Sequence, residues 1–316
     1  MKGENTAASV PAARPGEHPG EHPGEHPGEG ERGGGSGETT LLVRRPGPGE
    51  RDPVRAHRRR RAIELSLALA VPAALVLLWQ LAADQRWIDS RIYPAPSTIA
   101  ADGWQRAADG KLWPDVWATL KRVIAGYALG TAAGYLFGLL MGALRMVRAA
   151  LEPLLDALYV VPKLALLPVF LNMFGLGEGP QIALVATTVF FFVWISTMAA
   201  VMGVAEGHRE AGQVFGAGPW QMFRHVLLPA SLPQVLVGMR VAAGVAVLVI
   251  VASEQIAAND GLGHLIFDSR TLFQNDVMFV GIVCVAVLGV VFSELVRFIG
   301  RRLTPWAPRD RGRPQS

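Results

Sequence analysis

Residues 206–233 read EGHREAGQVFGAGPWQMFRHVLLPASLP. The stretch is too polar to cross a membrane and too long for a simple turn, yet long apolar runs flank it on both sides. Its first part, through Phe215, suits a short helix exposing Glu206, Arg209, Glu210 and Gln213. Gly216, Ala217 and Gly218 break that helix, and Pro219 suits the first turn of the next. There Trp220, Phe223 and Leu227 share one face opposite Gln221 and Arg224. Such an amphipathic pattern fits a helix lying at a membrane surface or against a partner. Pro229 and Pro233 are then expected to redirect the chain into the following span.

Outward from this segment the chain alternates apolar spans with short polar breaks. About 20 residues cross a hydrocarbon core as a helix, and six runs are long enough, at about 62–83, 119–144, 151–174, 180–203, 235–258 and 277–300. The third contains Pro153, Pro162 and Pro168, and is expected to be a broken helix facing protein or a channel rather than lipid. The segment at 206–233 thus falls in a loop, 204–233, between the fourth and fifth spans.

Composition agrees with a membrane protein. Of 316 residues 51% are hydrophobic and 18% charged, against about a quarter charged in soluble domains, and mean hydropathy is +0.30. The net charge of +4 comes largely from arginines at 51–61 and 297–313, which read as topology signals and anionic-lipid contacts. No nucleic-acid reader motif accompanies them, so nucleic acid is not an expected partner. Cys284, the single cysteine, lies in an apolar run and cannot form an intramolecular disulfide or a paired-cysteine metal site.

Residues 1–61 are rich in Gly, Pro, Glu, His and Arg, with three PGEH repeats within Pro15–Gly30. A segment so poor in apolar surface is expected to be a disordered cytoplasmic tail. His18, His22 and His26 lack a scaffold to fix ligand geometry, so no metal site is assigned. The first apolar run starts near Ala62 with no clear small-residue cleavage site after it, so it is expected to be a span and not a signal peptide. Arg58–Arg61 beside that run predict a cytoplasmic N-terminus. Six spans return the C-terminal tail, 304–316, to the same side, with Arg145, Arg148, Arg209, Arg224, Arg301 and Arg302 also inside.

Gly126, Gly130, Gly134, Gly138 and Gly142 place a glycine at every fourth position of the second span, a spacing for close helix packing. Such a strip drifts about 40° per step, enough over its length to serve more than one neighbour. Lys163, Glu254 and Glu294 are ionisable groups inside spans, where they are costly and often functional. Lys163 is either an electropositive element of a solute pathway or a structural lysine that snorkels or pairs with a carbonyl or Asp156. Glu254 lies near the outer end of the fifth span, a candidate contact at the entrance or with a binding protein. Glu294 is spaced to pair with Arg297.

The residues of the loop resemble the EAA motif of binding-protein-dependent ABC importer permeases. Glu210, Ala211 and Gly212 stand where that motif has Glu-Ala-Ala. Gly216 follows at its spacing, as do Val226, Leu228 and Pro229. Gly212 in place of the second alanine is the one departure. YPAPSTI (Tyr93–Ile99), VPKLALLPVF (Val161–Phe170) and GLGHLI (Gly261–Ile266) are similar to the nitrate/sulfonate/taurine branch, so the resemblance covers about 92–303.

The resemblance implies an all-α membrane protein, a six-helix type I ABC importer transmembrane domain in a bacterial cytoplasmic membrane. It implies cytoplasmic ABC ATPase subunits, an extracytoplasmic substrate-binding protein and a second permease copy as partners. Glu210, Ala211, Gly212, Gly216, Leu228 and Pro229 would form the ATPase-docking element. The solute would be a small anion such as a sulfonate, taurine or nitrate. This chain has no GxxxxGK[ST] loop, so ATP and Mg would be held by the partner, with no cofactor and no catalytic residue here. An intramembrane enzyme lacks a catalytic constellation, neither HExxH nor paired carboxylates occurring in the spans. An autonomous secondary carrier is disfavoured because broken helices are expected in both halves and only one span looks broken.

Overall fold

The computed structural model describes residues 53–307, with side chains from Ala62 onward. The expected disorder and PGEH repeats before residue 53, His18, His22 and His26, the side chains of Arg58–Arg61 and the tail beyond 307 lie outside the described residues. The chain divides into two units, Met1–Ile63 and Glu64–Ser316, and the helical bundle lies in the second.

The described residues form helices α1 (Pro53–Asp84), α2 (Pro96–Ala108), α3 (Trp113–Ala143), α4 (Arg145–Val160), α5 (Leu167–Phe174), α6 (Gly179–Met202) and α7 (Glu206–Val214). After these come α8 (Pro219–Ala257), α9 (Leu262–Thr271) and α10 (Asn275–Leu303). Five are long and apolar enough to cross a membrane, or six if the bent pair α4–α5 counts as one span. Prolines start several of them: Pro114, Pro168, Pro180 and Pro219 sit in first turns, where a missing N–H costs nothing.

The predicted break in the third span is a bend of 90° between Arg145–Val160 and Lys163–Phe174. Pro162 heads a short 3-10 turn, Lys163–Leu166, that makes the corner. Lys163 closes it. Its ammonium donates to the carbonyls of Leu158 (3.1 Å), Tyr159 (2.6 Å) and Val161 (2.7 Å), satisfying the end of α4 that the bend exposes. The same ammonium lies 4.4 Å from the Phe191 ring centroid.

The glycine strip corrects an expectation: all five glycines face one helix. A Cβ at Gly126 would meet Val185 at 2.7 Å, at Gly134 the Phe190 carbonyl at 2.5 Å, at Gly138 Thr197 at 2.6 Å and at Gly142 Val201 at 2.7 Å. Gly130 opposes Ala186 and Val189. The β-branched knobs Val185, Val189, Val193, Thr197 and Val201 also recur every four residues, and both series rise together, so α3 and α6 run parallel. Because the partner strip drifts at the same rate, the helices wind about each other and the strip never leaves its neighbour. Val123, Val185, Val189 and Val193 are fully buried with Ala242, Ala246 and Ile250 of α8, the centre of the core.

The fifth span is also unlike its expectation. The chain is not redirected at Pro229 or Pro233 but continues as helix from Pro219 to Ala257. A π-helical stretch, Met222–Leu227, absorbs the missing N–H of Pro229; the Leu228 N–H reaches back five residues to the Phe223 carbonyl.

Candidate functional site

The loop between α6 and α8 is built from its glycines. α7 ends as the Phe215 N–H bonds to the Ala211 carbonyl (3.1 Å) and the Ala217 N–H to that of Gly212 (3.0 Å). Gly216 between them has φ +73, the left-handed position that terminates a helix without side-chain strain. Gly218 then receives the Gln221 side chain (3.0 Å to its N–H), and Pro219 starts α8. This reversal drives an apolar tip into solvent: Val214 is 85% and Phe215 89% exposed, with Trp220 stacked on Phe223 beside them. Glu206, Glu210 and Ala211 are exposed on α7. Exposed apolar residues next to a helix bearing exposed carboxylates form a surface suited to a protein partner.

One residue differs from its expected place. Arg209, expected to be exposed, folds back so that Nη2 donates to the Val201 carbonyl at 3.2 Å, capping the end of α6. The departure at Gly212 has a cause: a Cβ there would lie 2.6 Å from the Met222 Cε, so α7 rests on α8 through this gap. Leu228 and Pro229 lie half-buried within α8.

Glu254 is wholly buried at the opposite end of α8. Its carboxylate accepts from Arg122 Nη1 (2.9 Å), Thr119 Oγ1 (2.9 Å) and the Gly263 N–H (2.9 Å). Thr119 Oγ1 in turn accepts from the Leu262 N–H (2.8 Å), Asp115 accepts from the Gly261 N–H (3.0 Å), and Arg122 also pairs with Asp260. The glycines of GLGHLI are required by this carboxylate: a Cβ at Gly261, whose φ is +107, would lie 2.5 Å from Glu254 Oε1. Arg122, Thr119, Asp115 and Asp260 carry no assignment from the sequence. Arg122 falls within the first turn of the second predicted span, and that was the signal available. Glu294 pairs with Arg297 as expected and also with Arg240 of α8 (3.4 Å).

Residues 130–305 match the family model described as binding-protein-dependent transport system inner membrane component. The chain belongs to this family. The permease is 32% identical over 238 residues to the SsuC protein of Bacillus subtilis (strain 168), named for transport of aliphatic sulfonates, covering 75% of this chain and 86% of that protein. It is 32% identical over 248 residues to the taurine transport system permease protein TauC of Escherichia coli (strain K12), covering 77% and 90%. Over 242 residues it is 29% identical to the riboflavin transport system permease protein RibX of Chloroflexus aurantiacus, covering 76% and 90%. Among solved structures the inward-facing MetNI methionine ABC transporter shares the fold, with TM-score 0.53 and 23% identity over 63% of this chain and 96% of that one. A bacterial alginate ABC importer does so too, with TM-score 0.53 and 18% identity over 81% and 98%. The permease is therefore a multi-pass inner-membrane transport subunit of an ABC importer. It is not itself an enzyme; ATP hydrolysis belongs to a separate chain, and a binding protein delivers the solute.

Proposed function

We propose that the permease imports a small sulfonate-type anion as a homodimer, and that α7 with the turn after it is the element that docks on the ATPase. The observation that carries the docking role is the exposed Val214–Phe215 tip, held out by the left-handed Gly216 beside the exposed Glu210. Apolar anchors in a charged rim are how small interfaces obtain both affinity and register. Met222 in the gap at Gly212 and Arg209 on the end of α6 connect that tip to two membrane helices.

Arginine placement supports both termini and this loop facing the cytoplasm, with ATP and Mg bound by the ATPase alone. The anion reading is supported by the similarity to SsuC and TauC. Titrating the cognate binding protein with alkanesulfonates, taurine, nitrate and riboflavin tests it, and a preference for riboflavin would overturn it.

The docking role is tested by co-purification. Glu210→Lys and Phe215→Ala are each expected to release the ATPase while leaving the permease folded. Full ATPase recovery and wild-type uptake in both variants would refute the assignment.

A further inference from the structure

Pro229, at the base of the loop, has a carbonyl that α-helical geometry cannot satisfy. Its acceptor role belongs to the N–H four residues on, and that residue is Pro233, which has none. The described C-terminal segment supplies a donor instead: Trp306 Nε1 lies 3.3 Å from the Pro229 oxygen. The approach is built, not incidental. Gly300 near the end of α10 is buried against Leu236 of α8, where a Cβ would make contact at 3.4 Å. One turn further, Thr304 ends the helix with both its N–H and its hydroxyl on the Gly300 carbonyl (3.1 and 2.9 Å). The Ala307 N–H bonds to the Thr304 carbonyl (3.2 Å), which turns the chain back along α8 towards Pro229. Trp306 then forms one wall of a cleft whose other walls are Gly203 and Val204 after α6, His208 of α7, and Pro233.

We propose that Trp306 is a positioning residue for energy coupling. Its indole replaces the backbone donor removed by Pro233 and so fixes the loop-side part of α8 relative to the membrane part of the same helix. Pro229 lies in α8 between the docking element and the membrane part of that helix, so the inference rests on the docking reading. In mechanical terms α10 and α8 are joined at two levels, by Gly300–Leu236 packing and by the Trp306 hydrogen bond. Displacement of the loop is thereby transmitted to α10 as well as to the helix it precedes. Without the indole, α8 has a loose proline pair between the loop and the membrane, and ATPase strokes are dissipated there.

The test uses the assembled importer in proteoliposomes with its ATPase and binding protein, comparing the original permease, W306F, P233A and the double variant. W306F keeps an aromatic ring but has no N–H. It is expected to raise ATP hydrolysed per solute imported by more than about twofold, with about fivefold the ceiling that one net hydrogen bond sets. Replacing Pro233 restores a backbone donor to Pro229, so W306F in the P233A background is expected to change the ratio by less than about twofold. A W306F ratio equal to the original, or the same penalty in both backgrounds, overturns the inference. Should W306F alone fail to assemble, recovery of assembly in the double variant supports it and failure there overturns it. Release of the ATPase by Glu210→Lys reports on docking separately, since that variant leaves Trp306 and Pro229 intact.

Discussion

Arg122 and Glu254 are 132 positions apart in sequence and form a charge pair of which Glu254 is wholly and Arg122 almost wholly buried. Removing one member of such a pair leaves the other buried without its counter-charge, at a cost of about 3–5 kcal/mol. Glu254→Ala is therefore expected to reduce folded permease sharply, and Glu254→Gln, which keeps an acceptor for Thr119 and the Gly263 N–H, to reduce it less. Thermal unfolding in detergent measures both, and equal losses would show that the hydrogen bonds an amide keeps contribute nothing beside the lost charge. Lys163 poses a different question because three carbonyls already hold its ammonium. Lys163→Met is expected to lower stability by about 1–3 kcal/mol, while uptake per folded permease stays near the original. Abolished uptake in fully folded protein would instead favour a role in the solute pathway. Intramembrane charges are legible one by one in the sequence, since each is expensive in lipid. Their partners are not, because pairing Arg122 with Glu254 needs the packing of α3 against α8.

At the level of elements, the α3–α6 pair is a ladder of glycine notches and β-branched knobs. Gly134→Val would force a side chain into the Phe190 carbonyl and Val193, whereas Gly244, whose nearest neighbour would be Ser293 at 3.9 Å, has room. Gly134→Val is thus expected to be destabilising by overpacking, at the upper end of about 1–3 kcal/mol. Gly244→Ala is expected to be neutral or to gain up to about 1 kcal/mol. The pair is compared by unfolding temperature, and a tolerated Gly134→Val would break the ladder model. The glycine period was visible because glycine recurs at a fixed spacing of four within one apolar run. The matching Val185–Val201 period was hidden, because α6 is rich in bulky apolar residues at nearly every position. The broken third span was legible from its prolines, but the π-helical accommodation of Pro229 was not, because proline signals a missing donor and not how the backbone absorbs it.

For the whole molecule, the exposed tip at Phe215 and the exposed Phe273 in the turn before α10 lie beyond opposite ends of α8. With Cys284 replaced by serine, Phe215→Cys is expected to react with a membrane-impermeant maleimide only in inverted vesicles, and Phe273→Cys only in intact cells. Labelling of both from one side would overturn the orientation. The alternation of apolar runs and polar breaks made the long apolar helices readable, since length and hydropathy are local properties. How the loop is tied to α6, α8 and α10 was not, because Arg209, Met222 and Trp306 find their partners only after the bundle has assembled.

The parallel pairing of α3 with α6 also has a consequence for biogenesis. The notched face of α3 is complete once residue 143 has left the ribosome, but its knobs are not made until residues 179–202 follow. In between, the nascent chain carries a row of exposed backbone in the bilayer while the bent α4–α5 segment is inserted beside it. A permease truncated after Phe174 is therefore expected to be cleared by membrane quality-control proteases. One truncated after Met202, with the ladder closed, is expected to persist longer, as pulse-chase labelling would show.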